Sequence, residues 1–163
     1  MTIVCNAGPV IALAKIDHLS LLRDLADLVL IPEPVFHEVL AKPTPDSSRI
    51  PAASREFVQV RATPAPPAPS VLSASRLPDP GEKAVIALAA SVAPPVTALL
   101  EDAAGRKVAS LLGIPVLGFI GLLLAAKQRQ LISTVGPLVD QARIQGYWLS
   151  DELVEIARKP APE

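Results

Sequence analysis

The sequence predicts an α/β fold: a single three-layer domain in which a central parallel sheet is flanked by helices. Three observations predict it. Short uninterrupted apolar runs recur along the chain, as expected of strands buried on both faces. Segments whose apolar positions fall at helical spacing separate these runs, the pattern of a parallel sheet with helical crossovers. The chain has 163 residues, half of them apolar, which suits one domain at roughly 100–200 residues per domain. No internal repeat and no long linker divides it. The domain is expected over 1–159, with a short C-terminal tail at 160–163.

The elements follow in order. Thr2 to Cys5 is a β-branched run, and Asn6-Ala7-Gly8-Pro9 turns the chain into a helix that continues to about Lys15. Pro9 suits a first helical turn, where its missing N–H is not needed. Leu21, Leu22, Leu25 and Leu28 give a helix from Leu19. Leu28 to Ile31 is a buried-type strand that Pro32 stops, and Pro34 opens a helix with Val35, Phe36, Val39 and Leu40 on one side. Phe57 to Arg61 alternates as a strand. Ala62 to Ser70 holds four prolines without a period and is expected to be a loop or extended segment. Asp79-Pro80-Gly81-Glu82 reads as a helix start, with Asp79 as N-cap and Pro80 in the first helical position. Thr97 to Leu100 and Ile114 to Leu117 are further strands. Gly105 to Leu112, Ile120 to Arg129, Val135 to Ile144 and Asp151 to Arg158 are the remaining helices.

Composition narrows the function classes. Fifteen Lys and Arg oppose sixteen Asp and Glu, so nucleic acid is not gripped through bulk positive charge and any such contact must be local. One cysteine, Cys5, excludes a disulfide framework and a cysteine-based zinc site, and two histidines, His18 and His37, are too few for a histidine-rich one. Ala84 to Leu100 and Leu111 to Ala126 are uncharged, but Pro94-Pro95 cuts the first, and Pro115, Gly118 and Gly121 punctuate the second. A span needs about twenty apolar residues, so both read as buried strands and helices. The N-terminus lacks a basic region followed by an apolar segment and cleavage site. The expectation is a soluble cytoplasmic protein without a membrane contact. The apolar surplus is compatible with a homodimer.

Ligands of an open parallel sheet bind outside the carboxyl ends of its strands, which directs attention to Asn6, Glu101 and Asp102. Glu38 and Glu82 lie near helix beginnings. Carboxylates crowded together repel unless a cation offsets them, and hard divalent ions prefer oxygen ligands. Each acid also has a plainer use. Glu82 in a first helical turn is favoured by the helix dipole, and Glu101-Asp102 can end a strand and cap the next helix. His18 suits a capping or surface position, and Cys5 a small apolar filler. Tyr147-Trp148 can stack on bases, but in a chain with so few aromatics the expected use of the pair is packing of the terminal helix.

The ordered segments Val4 to Lys15, Ile31 to Leu40, Leu77 to Ala89, Glu101 to Ala109 and Gly113 to Leu123 resemble the PIN-domain family, within it a compact branch related to VapC-type toxins. The resemblance covers most of the chain, and Asp79-Pro80-Gly81-Glu82 before an Ala-rich helix is its most specific piece. It implies a metal-dependent endoribonuclease that hydrolyses RNA phosphodiester bonds, the toxin of a type II toxin–antitoxin pair held by a cognate antitoxin. By position, Asn6 corresponds to the family's first acid, Glu38 to the second, Glu82 to the third and Glu101 or Asp102 to the fourth. Glu38, Glu82 and Asp102 are the expected catalytic set. Asn6, Glu38, Glu82, Glu101 and Asp102 are the expected ligands of Mg²⁺ or Mn²⁺, with Glu101 competing for Asp102's role. Lys83 and Arg106 are candidates for contacting RNA phosphates. Asn6 departs from the usual Asp, and Gly8 stands where a hydroxyl residue is common. The alternative reading is a PIN-like domain without catalysis that binds protein or RNA. A phosphoacceptor domain like bacterial receivers fits the sheet, but that fold wants an acidic pair straight after the first strand, where this chain has Asn6.

Overall fold

The computed structural model of the chain describes residues 1–42, 44, 48–65 and 78–159. Five parallel strands form one sheet: β1 (Thr2–Cys5), β2 (Leu28–Pro32), β3 (Val58–Arg61), β4 (Val96–Leu99) and β5 (Val116–Leu117), in the order β3-β2-β1-β4-β5. The first strand is therefore central, and the order reverses at β1, with β2 on one side and β4 on the other. In register, Val4 pairs with Leu30 and with Ala98, and Cys5 with Leu99. Two further bonds tie the strand ends together: Asn6 N–H donates to the Leu99 carbonyl at 3.1 Å, and Leu100 N–H to that of Leu117 at 2.9 Å.

Nine helices are found among the described residues: α1 (Ala7–Lys15), α2 (Ser20–Leu25), α3 (Glu33–Ala41), α4 (Arg49–Glu56), α5 (Pro80–Ser91), α6 (Ala103–Leu111), α7 (Phe119–Gln128), α8 (Gly136–Ile144) and α9 (Asp151–Arg158). They complete the expected three-layer α/β architecture. The core is aliphatic around β1: Ile3, Val4, Cys5, Leu99 and Leu100 are inaccessible, and Phe119 is the one aromatic ring buried to the same extent. Burial pushes the Cys5 thiol up to about 12, so it stays protonated and serves as an apolar filler.

Several elements differ from the sequence expectation. α4 was not expected, because only Ile50 and Ala53 of it are buried and Pro51 disturbs the helical pattern in the sequence. Pro51 lies in the first turn, where no intrahelical N–H is required. α2 begins at Ser20 and ends at Leu25, three residues before β2, rather than running on to Leu28. β2 extends through Pro32, which sits at the strand's end where a missing donor is tolerated. β5 shrinks to two residues, since Pro115 cannot donate to a ladder. Residues 62–65 are irregular, and the rest of the proline-rich stretch to Ser70 lies outside the described residues, as does the tail at 160–163. No helix among the described residues is long and apolar enough to cross a membrane.

Candidate metal centre

Asn6 follows β1 directly and occupies the N-cap position of α1, but its side chain does not cap that helix. Its Oδ1 points instead towards Gly81, in the first turn of α5. A Cβ placed on Gly81 would lie 3.3 Å from Asn6 Oδ1, 3.3 Å from Glu38 Oε2 and 3.3 Å from Asp79 Oδ1. Three oxygen atoms from three separate parts of the fold thus surround one point, where a Cβ would sit tighter than ordinary van der Waals contact.

Around that point lies a cleft of about 540 Å³. Asn6, Glu38, Glu82, Glu101 and Asp102 all line it, so every residue expected as a metal ligand faces the same space. Each acid has its own partner. Glu38, half-buried on α3, accepts from Lys42 Nζ one helical turn on at 2.9 Å. Glu82 is 2% exposed, and its Oε2 accepts from Asp79 N–H at 2.9 Å while Asp79 Oδ1 accepts from Glu82 N–H at 2.8 Å. This reciprocal capping box satisfies two helix-end donors and fixes both side chains at the mouth of α5. Asp102 is exposed and caps α6, its Oδ1 accepting from Ala104 N–H at 2.8 Å. Glu101 turns inward and accepts a short hydrogen bond from Phe119 N–H. Burial raises its carboxyl above the ordinary carboxylate range; the Phe119 N–H and the Arg106 guanidinium oppose that rise.

Among the described residues, no three His, Cys, Asp or Glu side chains stand together as a group able to hold a metal ion. Like charges that each face a separate donor avoid one another's repulsion. The donor set is nevertheless all oxygen, carboxylate and amide. That chemistry fits a hard, largely hydrated cation, which takes one or two carboxylates directly and keeps water elsewhere.

Lys83 and Arg106, expected at RNA phosphates, are not among the described residues that line the cleft. Lys83 follows Glu82 on a helix, where adjacent side chains diverge. Arg106 Nη1 turns back to the Leu100 carbonyl at 3.4 Å, and its side chain lines a neighbouring hollow. Among the described residues, the cation that lines the cleft is Lys42. Packing of the terminal helix is also the wrong use for Trp148, which is 81% exposed at the cleft rim. Its neighbour Tyr147 does pack, edge-on against Phe119 with ring centroids 5.3 Å apart. Burial, and secondarily Glu101, raises the Tyr147 phenol, keeping it a proton donor. Asp79, expected only as a cap, is a further cleft acid; the i, i+3 pairing with Glu82 was its sequence signal. His18 is half-buried with Nδ1 against the Ile16 carbonyl, and His37 is exposed.

A family model described as a PIN domain matches residues 2–163. The chain belongs to the PIN-domain family, whose members are generally nucleases and typically use divalent metals. Comparison with curated proteins gives no match.

Proposed function

We propose that the protein is a metal-dependent endoribonuclease that hydrolyses RNA phosphodiester bonds. The observation that carries this reading is the convergence of Asn6 Oδ1, Glu38 Oε2 and Asp79 Oδ1 beside Gly81, in a cleft also lined by Glu82, Glu101 and Asp102. A bound Mg²⁺ or Mn²⁺ would polarise a phosphoryl oxygen and lower the pKa of a water. Glu38, Glu82 and Asp102 would hold it, with Asn6 adding a neutral oxygen. Asp102 is preferred to Glu101 because it is exposed on the cleft, whereas Glu101 faces the Phe119 N–H. Glu101 then positions the β4 end against α7, and Tyr147, held neutral, offers a proton at its Oη. The capping box holds the Glu82 carboxylate in place before any ligand arrives. A toxin's role, with a cognate antitoxin over the cleft and a cytoplasmic location, extends the same reading.

The test is cleavage of RNA by purified protein with Mg²⁺ or Mn²⁺ against chelator, beside Glu82→Gln and Asp102→Asn. Cleavage that needs the metal and fails in both variants is expected. Metal-independent cleavage, or full activity in both variants, overturns it.

A second reading has its own support. Asn6 contributes no charge, and no preformed three-acid group exists among the described residues, as suits a PIN domain that binds protein or RNA without cutting. Under that reading, calorimetry detects metal binding to Asn6→Asp and none to the native protein.

A further inference from the structure

Among the described residues, five carboxylates line the cleft (Glu38, Asp79, Glu82, Glu101 and Asp102), against one ammonium, that of Lys42. A polyanionic strand is repelled by such a wall unless a bound cation offsets it. A neutral contact adds affinity that does not depend on that cation, and the rim offers one. Trp148 is 81% exposed and lines the same cleft.

Its presentation is fixed from both sides. Gly146 ends α8 in the left-handed region at φ +89°, and Tyr147 N–H closes the turn by donating to the Ala142 carbonyl at 3.0 Å. Tyr147 is anchored edge-on against the fully buried Phe119, and Leu149 is buried on the far side. The indole therefore projects from a short loop whose neighbours are both held in the protein. An exposed aromatic face accepts any base. A base inside a duplex already has neighbours on both faces and is unavailable without being extruded.

We propose that Trp148 is a base-stacking subsite that seats one unpaired nucleotide of the RNA beside the carboxylates. The subsite rests on the nuclease reading above and sharpens it: the strand must be single at the nucleotide next to the bond that is cut.

Trp148 is the sole tryptophan of the chain, so its emission reports the contact directly. A single-stranded RNA of about ten nucleotides, added with Mg²⁺ and followed before cleavage proceeds, is expected to quench that emission saturably. The same sequence as a duplex leaves it unchanged. Trp148→Ala is expected to raise KM about tenfold with kcat little altered, and Trp148→Phe to keep a KM near native. Unchanged emission at RNA concentrations that saturate cleavage, or a native KM in Trp148→Ala, overturns the subsite and leaves the nuclease reading standing. Loss of self-association in Trp148→Ala with KM unaffected would assign the indole to a protein contact and also overturn it. Saturable quenching without cleavage in any divalent metal supports the subsite while overturning the nuclease.

Discussion

Gly105 lies directly against Glu82: a Cβ on residue 105 would meet Glu82 Oε1 at 3.0 Å and its carboxyl carbon at 3.1 Å. The close approach of α6 to α5 is thus set by a missing side chain. Gly105→Ala forces the buried carboxylate or the helix to shift, and overpacking of this kind costs about 1–3 kcal/mol. A lower Tm together with weaker Mn²⁺ binding by calorimetry is expected. An unchanged Tm would show that the two helices are free to part.

Gly81→Ala separates site from stability. Alanine favours a helix over glycine by up to about 1 kcal/mol, yet its methyl would stand between the oxygens of Asn6, Glu38 and Asp79. Thermal stability at or above native, with divalent-metal binding lost, is the expected pair of results.

The capping box makes Asp79 and Glu82 separable by choice of substitution. Asp79→Ala removes a helix cap and is expected to cost about 0.5–2 kcal/mol in denaturant unfolding. Glu82→Gln retains an oxygen for the Asp79 N–H, so it should unfold within about 1 kcal/mol of native while cleavage is lost.

Glu101 gives a pH signature. Its carboxyl is raised in the folded protein, chiefly by burial, so the unfolded chain ionises first as pH rises. The contribution to stability is full below the ordinary value of 4.5 and is lost as pH rises through the higher folded value. Glu101→Gln keeps an acceptor for Phe119 N–H and lacks this loss. In metal-free buffer, the native protein should lose stability relative to the variant across that window.

Lys42 competes for Glu38. The pair is largely exposed and is worth about 0.2–1 kcal/mol, so Lys42→Met should tighten Mn²⁺ binding by up to about fivefold. Weaker binding in that variant would instead make the lysine part of the site's support.

The strands and the acids behind them were legible because both are local. An apolar run bounded by polar residues shows a strand of a parallel sheet, and Asn6, Glu101 and Asp102 are placed simply by following one. Glu82 was legible through its cap. α4 was hidden because two buried residues make too weak a period. Lys42 was hidden for a different reason, and Trp148 was legible as a stacking candidate but not as a cleft residue: neither adjoins a strand in sequence, and their presence in the cleft depends on how α3 and the α8–α9 loop pack. Lys83 and Arg106 are near the acids in sequence, but neither lines the cleft.

The walls of the cleft come from Asn6 at one end of the chain and from Trp148, Leu149 and Leu153 near the other. In a chain emerging N-terminus first, β1 is made before both of its neighbours, Leu28–Pro32 on one flank and Val96–Leu99 on the other. The carboxylates are then together while the rim is still missing. A polypeptide arrested before residue 147 carries the acids with an unfinished wall, so the cleft is completed only once the α8–α9 loop has been made.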